Sequence, residues 1–143
     1  MSDRPKGIPP EAELASTGGF NKYVGPLWRL PDQGTGDGAI KRFAFVAEDK
    51  HMNSAGTVHG GMLMGFADTA MSRTTRLVTG ARGVNTVALN CDFVGPGKLG
   101  DMIEARVSVT RKARTMVFLS AELKSGDRTL LVATGLWKIA ARS

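Results

Sequence analysis

The strongest constraint in this chain is a single long helical pattern, from about Val58 to Thr79 and ended by Gly80, that is apolar around most of its circumference. Between Met62 and Met71 its only charge is Asp68. A helix apolar on several sides must be buried on several sides. Before it lies an alternating segment, Ile40 to Ala47, and a polar turn through Glu48, Asp49 and Lys50. After it come four strand candidates, near residues 85–94, 102–112, 115–124 and 130–140, punctuated by Gly95-Pro96-Gly97 and Ser125-Gly126-Asp127. The segment at 102–112 alternates most cleanly, with Ile103, Ala105, Val107 and Val109 on one face and Glu104, Arg106, Ser108 and Thr110 on the other, so one side of the sheet faces water. The order strand, long helix, four strands predicts an α+β domain: an antiparallel sheet of about five strands with one helix across it. A five-stranded sheet covers only part of such a helix. A second subunit is expected to cover the rest.

A chain of 143 residues is one domain's length, and at 42% apolar and 22% charged it can build a core. One cysteine, Cys91, permits no internal disulfide, and neither a signal peptide nor a membrane span is read in the sequence, so a soluble cytoplasmic protein is expected. The formal charge of +6 favours polyanionic partners, among them a ligand with several phosphates. Only Arg111, Lys112 and Arg114 cluster, and no nucleic-acid-binding pattern accompanies them. Residues 1–38 hold five of the six prolines and seven of the eighteen glycines and read as an irregular segment packing on a domain of residues 39–143, with a short helix from Glu11 to about Ser16. The spacing of Gly34, Gly36 and Gly38 leads into a strand, not a helix, so it is not a dinucleotide loop.

The chemistry concentrates in Asn53-Ser54-Ala55-Gly56-Thr57-Val58-His59-Gly60-Gly61 and Asp68. Two glycines in a first helical turn each cost about 1 kcal/mol relative to alanine. Access would justify them: bare N–H groups at a helix start can approach a substrate oxygen, as in an oxyanion hole. Tight packing of the helix start against a strand would justify them equally. Alone, His59 could be a backbone-bonding histidine and Asn53 a turn residue. Asp68 is out of place among Met64, Gly65, Met71 and Ser72, and is read as functional or as paired with a group such as Arg73. Nine residues separate His59 from Asp68, which is about 13.5 Å of rise and about 900° of rotation. The two side chains of one chain therefore lie on opposite faces. Either they serve different purposes, or two chains pool them across a two-fold axis.

The pattern N-x-x-G-x-x-H-G-G followed seven residues later by Asp resembles the hotdog-fold acyl-CoA thioesterases of the phenylacetate-degradation (PaaI-like) family, over roughly residues 40–140. Gly83-Val84, the turn from Gly95 to Asp101 and the step from Arg111 to Thr115 support the resemblance. It implies a hotdog dimer with joined sheets, usually doubled into a tetramer, with two sites per dimer. By the same resemblance the Gly60 N–H polarises the thioester carbonyl, with His59 and Asn53 beside it. Asp68 of the partner chain is the base or nucleophile, and Thr86 is the hydroxyl that holds the water or the carboxylate. The parity of Thr86 sets it opposite Val87, Leu89, Cys91 and Phe93. Gly61, Met64 and Ser72 are candidates to line the substrate site, and Lys98, Arg111 and Arg114 to meet the phosphates of coenzyme A. Ala113 stands where the family often has glycine.

The expected function is hydrolysis of a small or medium acyl-CoA, aliphatic or aromatic, with coenzyme A present only as part of the substrate. Two histidines and one cysteine make no metal cluster, and no G-x-S-x-G elbow is present. Neither a metal nor a redox cofactor is expected, and no nucleic acid or membrane partner. Two other functions fit the same fold: a non-catalytic acyl-CoA binding module, for which Asp68 would be unnecessary, and an enoyl-CoA hydratase or dehydratase, whose proline-containing contexts are missing near His59.

Overall fold

A computed structural model describes residues 4–16 and 18–141 of the chain. The first three residues of the N-terminal segment, Thr17 and the last two residues lie outside the described residues. The elements run β1 (Glu13–Leu14), α1 (Gly19–Val24), β2 (Trp28–Gln33), β3 (Ile40–Val46), α2 (Gly60–Thr79), β4 (Gly83–Phe93), β5 (Met102–Lys112), β6 (Met116–Ser125) and β7 (Arg128–Ala141). All strands pair antiparallel in one sheet of order β1-β2-β3-β5-β6-β7-β4, with α2 against one face. No helix among the described residues is long and apolar enough to cross a membrane.

Helix α2 forms where the 3.6-residue pattern places it. His59 caps its start by accepting the Gly61 N–H, and Gly80 ends it in the left-handed conformation at φ 71°, its N–H returned to the Arg76 carbonyl. Met62, Leu63, Phe66, Ala67, Ala70 and Met71 are buried against Phe45, Ile103, Val107, Leu119, Leu131 and Trp137 from the sheet. Buried Thr74 and Thr75 satisfy their hydroxyls on the carbonyls one turn back, Ala70 and Met71. β5 keeps the expected alternation, with Ile103, Ala105 and Val107 fully buried while Ser108 and Thr110 are exposed.

The sheet has seven strands, two more than the sequence pattern suggests, because the N-terminal segment joins it. Glu13 and Leu14 pair with Arg29 and Trp28, so the stretch read as a helix from Glu11 to Ser16 is instead a strand and its flanks. β2 pairs along β3, Trp28 opposite Ala44 and Leu30 opposite Arg42. Ile8, Ala12, Trp28, Leu30 and Ala44 make a second small core on the sheet face away from α2. Burying these apolar groups, at roughly 25 cal/mol per Å², outweighs the local preference for irregular chain.

Gly135 on β7 marks the tightest point of the core. A Cβ there would lie 2.3 Å from the Trp137 ring and 2.9 Å from the Ala88 carbonyl oxygen, so neither neighbour has room to yield. Gly135→Ala is expected to destabilise the protein by about 1–3 kcal/mol or more, as overpacking does, read as a lower midpoint in urea denaturation at unchanged slope.

Candidate active site

The loop before α2 is built by its own polar groups. The Asn53 Oδ1 accepts the N–H groups of Ala55 and Thr57, each at 3.0 Å, and its Nδ2 donates to the Thr57 hydroxyl at 2.9 Å. Asn53 thus shapes the loop. The Val58 N–H donates to the Gly97 carbonyl and the His59 N–H to the His51 carbonyl, both at 2.8 Å, which fixes the approach to the helix. His51 is buried; its Nδ1 accepts the Glu48 N–H at 2.9 Å, so its Nε2 carries the proton and donates to the Val24 carbonyl at 2.6 Å.

The two glycines of the first turn differ in kind. The Gly61 N–H is taken by the His59 Nδ1 at 2.7 Å. A Cβ on Gly61 would press that ring at 2.9 Å, so glycine here permits the cap. Its N–H is therefore not open to a ligand. At Gly60 a Cβ would meet only ordinary contact, the Phe93 ring at 3.5 Å. Packing within the chain does not require glycine at this position, and its N–H has no acceptor among the described residues. That combination favours access over crowding as the reason for Gly60. Phe93, which the sequence reading did not single out, roofs this turn.

Asp68 is half-buried on the uncovered stripe of α2. The Thr86 hydroxyl donates to its Oδ1 at 2.6 Å, leaving Oδ2 for another partner. Arg73, the alternative partner, makes no ion pair with it among the described residues; burial pushes the Arg73 guanidinium down, with Arg76 and Arg29 adding to the effect. The parity argument at Thr86 is corrected by a β-bulge. Thr86 lies opposite Trp137 and Ala88 opposite Leu136, so Val87 is the extra residue. Thr86 therefore shares the helix-facing side with Leu89, Cys91 and Phe93, and Val87 is 52% exposed. Burial raises the Cys91 thiol, and Asp92 and Asp68 raise it further, as expected of a thiol facing the same site.

The other candidates are spread along the helix. Met64 is 38% exposed on the Asp68 stripe. The Ser72 hydroxyl is engaged by the Trp137 Nε1–H at 2.6 Å and so orients the core rather than the stripe. Lys98 is exposed and follows Gly97, at the helix start. Arg111 and Arg114 are exposed at the turn joining β5 to β6. The same turn reaches the far end of α2, where the Lys112 Nζ donates to the Val78 carbonyl. Twenty helical residues, about 30 Å, thus separate Lys98 from Arg111 and Arg114 within one chain.

Residues 55–132 match the thioesterase superfamily model. A Pseudomonas aeruginosa protein named as an esterase is 33% identical over 97 residues, 67% of this chain and 72% of that protein. Human acyl-coenzyme A thioesterase 13 is 34% identical over 90 residues; the match spans 62% of this chain and, at 63%, under two thirds of the human protein. Among solved structures, zebrafish thioesterase superfamily member 2 superposes with TM-score 0.75 at 23% identity over 89% of this chain and 91% of that one. The Escherichia coli PaaI protein of the phenylacetic acid degradation operon gives 0.68 at 20% identity, over 73% and 75%. A Streptococcus pneumoniae thioesterase protein solved with coenzyme A gives 0.69 at 19%, over 79% and 90%. The superpositions show a shared fold, the hotdog fold of the PaaI protein, and the family match extends over more than half of the chain: it belongs to the thioesterase superfamily, as a thioester hydrolase.

Proposed function

We propose that this protein hydrolyses a small or medium acyl-CoA, aliphatic or aromatic, to the free acid and coenzyme A, in sites shared between two copies of the chain. The observation that carries this reading is the Thr86 hydroxyl at 2.6 Å from Asp68. It fixes the carboxylate's orientation through Oδ1 and leaves Oδ2 to face the reacting carbonyl. That oxygen either removes a proton from water as the water adds to the thioester carbon, or adds itself to give an anhydride that water then opens. In both routes the carbonyl oxygen gains negative charge, and the Gly60 N–H, at the positive end of α2, stabilises it. The C–S bond then breaks, and the departing coenzyme A thiolate takes up the proton that the hydrolytic water gives up. Carboxylate, amide and water supply the whole reaction, so the proposal includes neither a metal nor a redox cofactor, and no nucleic acid or membrane partner.

Gly60 and Asp68 of one chain are about 12 Å apart along the helix, too far for one thioester. Two antiparallel copies of α2 bring Gly60 of one beside Asp68 of the other when the two-fold axis passes midway, at Met64. β4 supports the same arrangement. It has eleven residues and, among the described residues, pairs on one side only, with β7, so its other edge can bond to a second copy. An antiparallel pair also carries Arg111 and Arg114 of one chain past Lys98 of the other, along a path long enough for a ligand of coenzyme A's length. The bound coenzyme A of the pneumococcal fold relative is in keeping with this reading. A dimer, or a dimer of dimers in the cytoplasm, is the proposed working form.

Thiol release from a panel of aliphatic and aromatic acyl-CoAs tests the activity; binding without release overturns it. Asp68→Ala is expected to lower turnover about 10³-fold while the oligomer, followed by light scattering, stays intact. Thr86→Val is expected to lower kcat about 10–100-fold, the worth of a hydrogen bond to a charged group, and Thr86→Ser to restore most of it. Met64→Asp, which sets two like charges at the axis, is expected to give monomers in gel filtration with a parallel loss of turnover.

A further inference from the structure

Helix α1 has six residues, too few to hold itself, and is fixed instead by side chains from elsewhere. The Thr69 hydroxyl donates to the Asn21 Oδ1 at 2.8 Å, the His51 Nε2 to the Val24 carbonyl at 2.6 Å and the Lys50 Nζ to the Gly25 carbonyl at 2.5 Å. The Thr69 bond clips α1 to α2 at the residue after Asp68, and the other two hold the end of α1 to the segment before α2. They also carry Phe20 onto Gly65: a Cβ at Gly65 would come within 3.1 Å of the Phe20 ring edge, so the ring rests on bare helix backbone. Gly65 is one turn after Gly61 and one turn before Asp68, on the same stripe. The ring therefore closes the side of that stripe opposite β4, which holds Thr86. It is also 59% exposed, with Tyr23 85% and Met64 38% exposed nearby. A clip built only to order the N-terminal segment gains little from an aromatic ring half in water; a wall against which an apolar group packs gains from it.

We propose that Phe20 is a specificity-determining residue: its ring is the wall of the acyl site beside Asp68 and sets the size of the acyl group accepted there. The assignment rests on the acyl-CoA reading above. Acyl groups that end at the ring pack on its face, and longer chains must displace it. A smaller residue at position 20 extends the apolar stripe past Gly65 toward Thr69, and a larger one shortens it.

The test uses full-length protein and two sets of probes: ethyl, hexyl and dodecyl S-alkyl-CoA thioethers for calorimetric binding, and butyryl-, octanoyl- and dodecanoyl-CoA for kcat/KM. Phe20→Ala is expected to raise the ratio of dodecyl to ethyl affinity, and of dodecanoyl to butyryl kcat/KM, about tenfold, the scale on which apolar pockets discriminate chain length. Phe20→Trp is expected to lower both. Unchanged ratios in both variants, with a wild type that binds and hydrolyses, overturn the role of Phe20 alone. Unchanged ratios with a shift in sedimentation also overturn it, and make the ring a subunit contact. A wild type that binds no thioether and releases no thiol overturns the acyl-CoA reading and this assignment with it.

Discussion

The packing of one face of α2 into the curve of the sheet is the constraint on which every other feature depends. Phe66, Ala67, Ala70 and Met71 are buried almost completely against β3 and β5–β7, and the Ser72–Trp137 hydrogen bond ties the next turn to β7. Together they fix the rotation of the helix about its axis. At 100° per residue, that rotation alone determines that Gly61, Gly65 and Asp68 emerge in a row on the opposite side. A close-packed interior tolerates little rotation, because each step would exchange a buried methyl for a void. The position of the carboxylate is thus a property of the core.

The helix start divides its labour between two adjacent glycines. At Gly61 the absence of a side chain lets the His59 ring fold back and accept an N–H, which secures the cap. At Gly60 it leaves an N–H bare beneath Phe93. A helix start has several unpaired donors. Here capping removes one and leaves its neighbour without an acceptor among the described residues, at the point where the dipole is strongest.

The sequence and the structure agree where information is local. The period of two in β5 and the period of 3.6 in α2 are each dictated by burial of one face, so both elements and the glycine that ends the helix are legible from spacing. The N-terminal segment is not. β1 exists because Glu13 and Leu14 pair with Arg29 and Trp28, contacts that no local pattern encodes. α1 begins at a glycine with no capping side chain and is held by residues 25 to 48 positions away, at Lys50, His51 and Thr69. In the site, His59, Gly60 and Asp68 could be read from residue type and helical geometry. Phe93 over Gly60 and Phe20 over Gly65 are long-range packings, visible only once the chain is folded.

Thr86 shows how little separates a hydroxyl aimed at Asp68 from one aimed away from it. Strand pleating assigns odd and even residues of β4 to opposite surfaces, and the extra residue at Val87 shifts that phase by one step between Leu89 and Thr86. Flattening the bulge, so that Val87 rather than Thr86 stood opposite Trp137, would leave the pairing of residues 88–93 with β7 untouched and turn the Thr86 side chain to the other surface, away from the carboxylate. Change along this strand is therefore asymmetric: side chains can vary on either surface, whereas the register that sets Thr86 opposite Trp137 cannot.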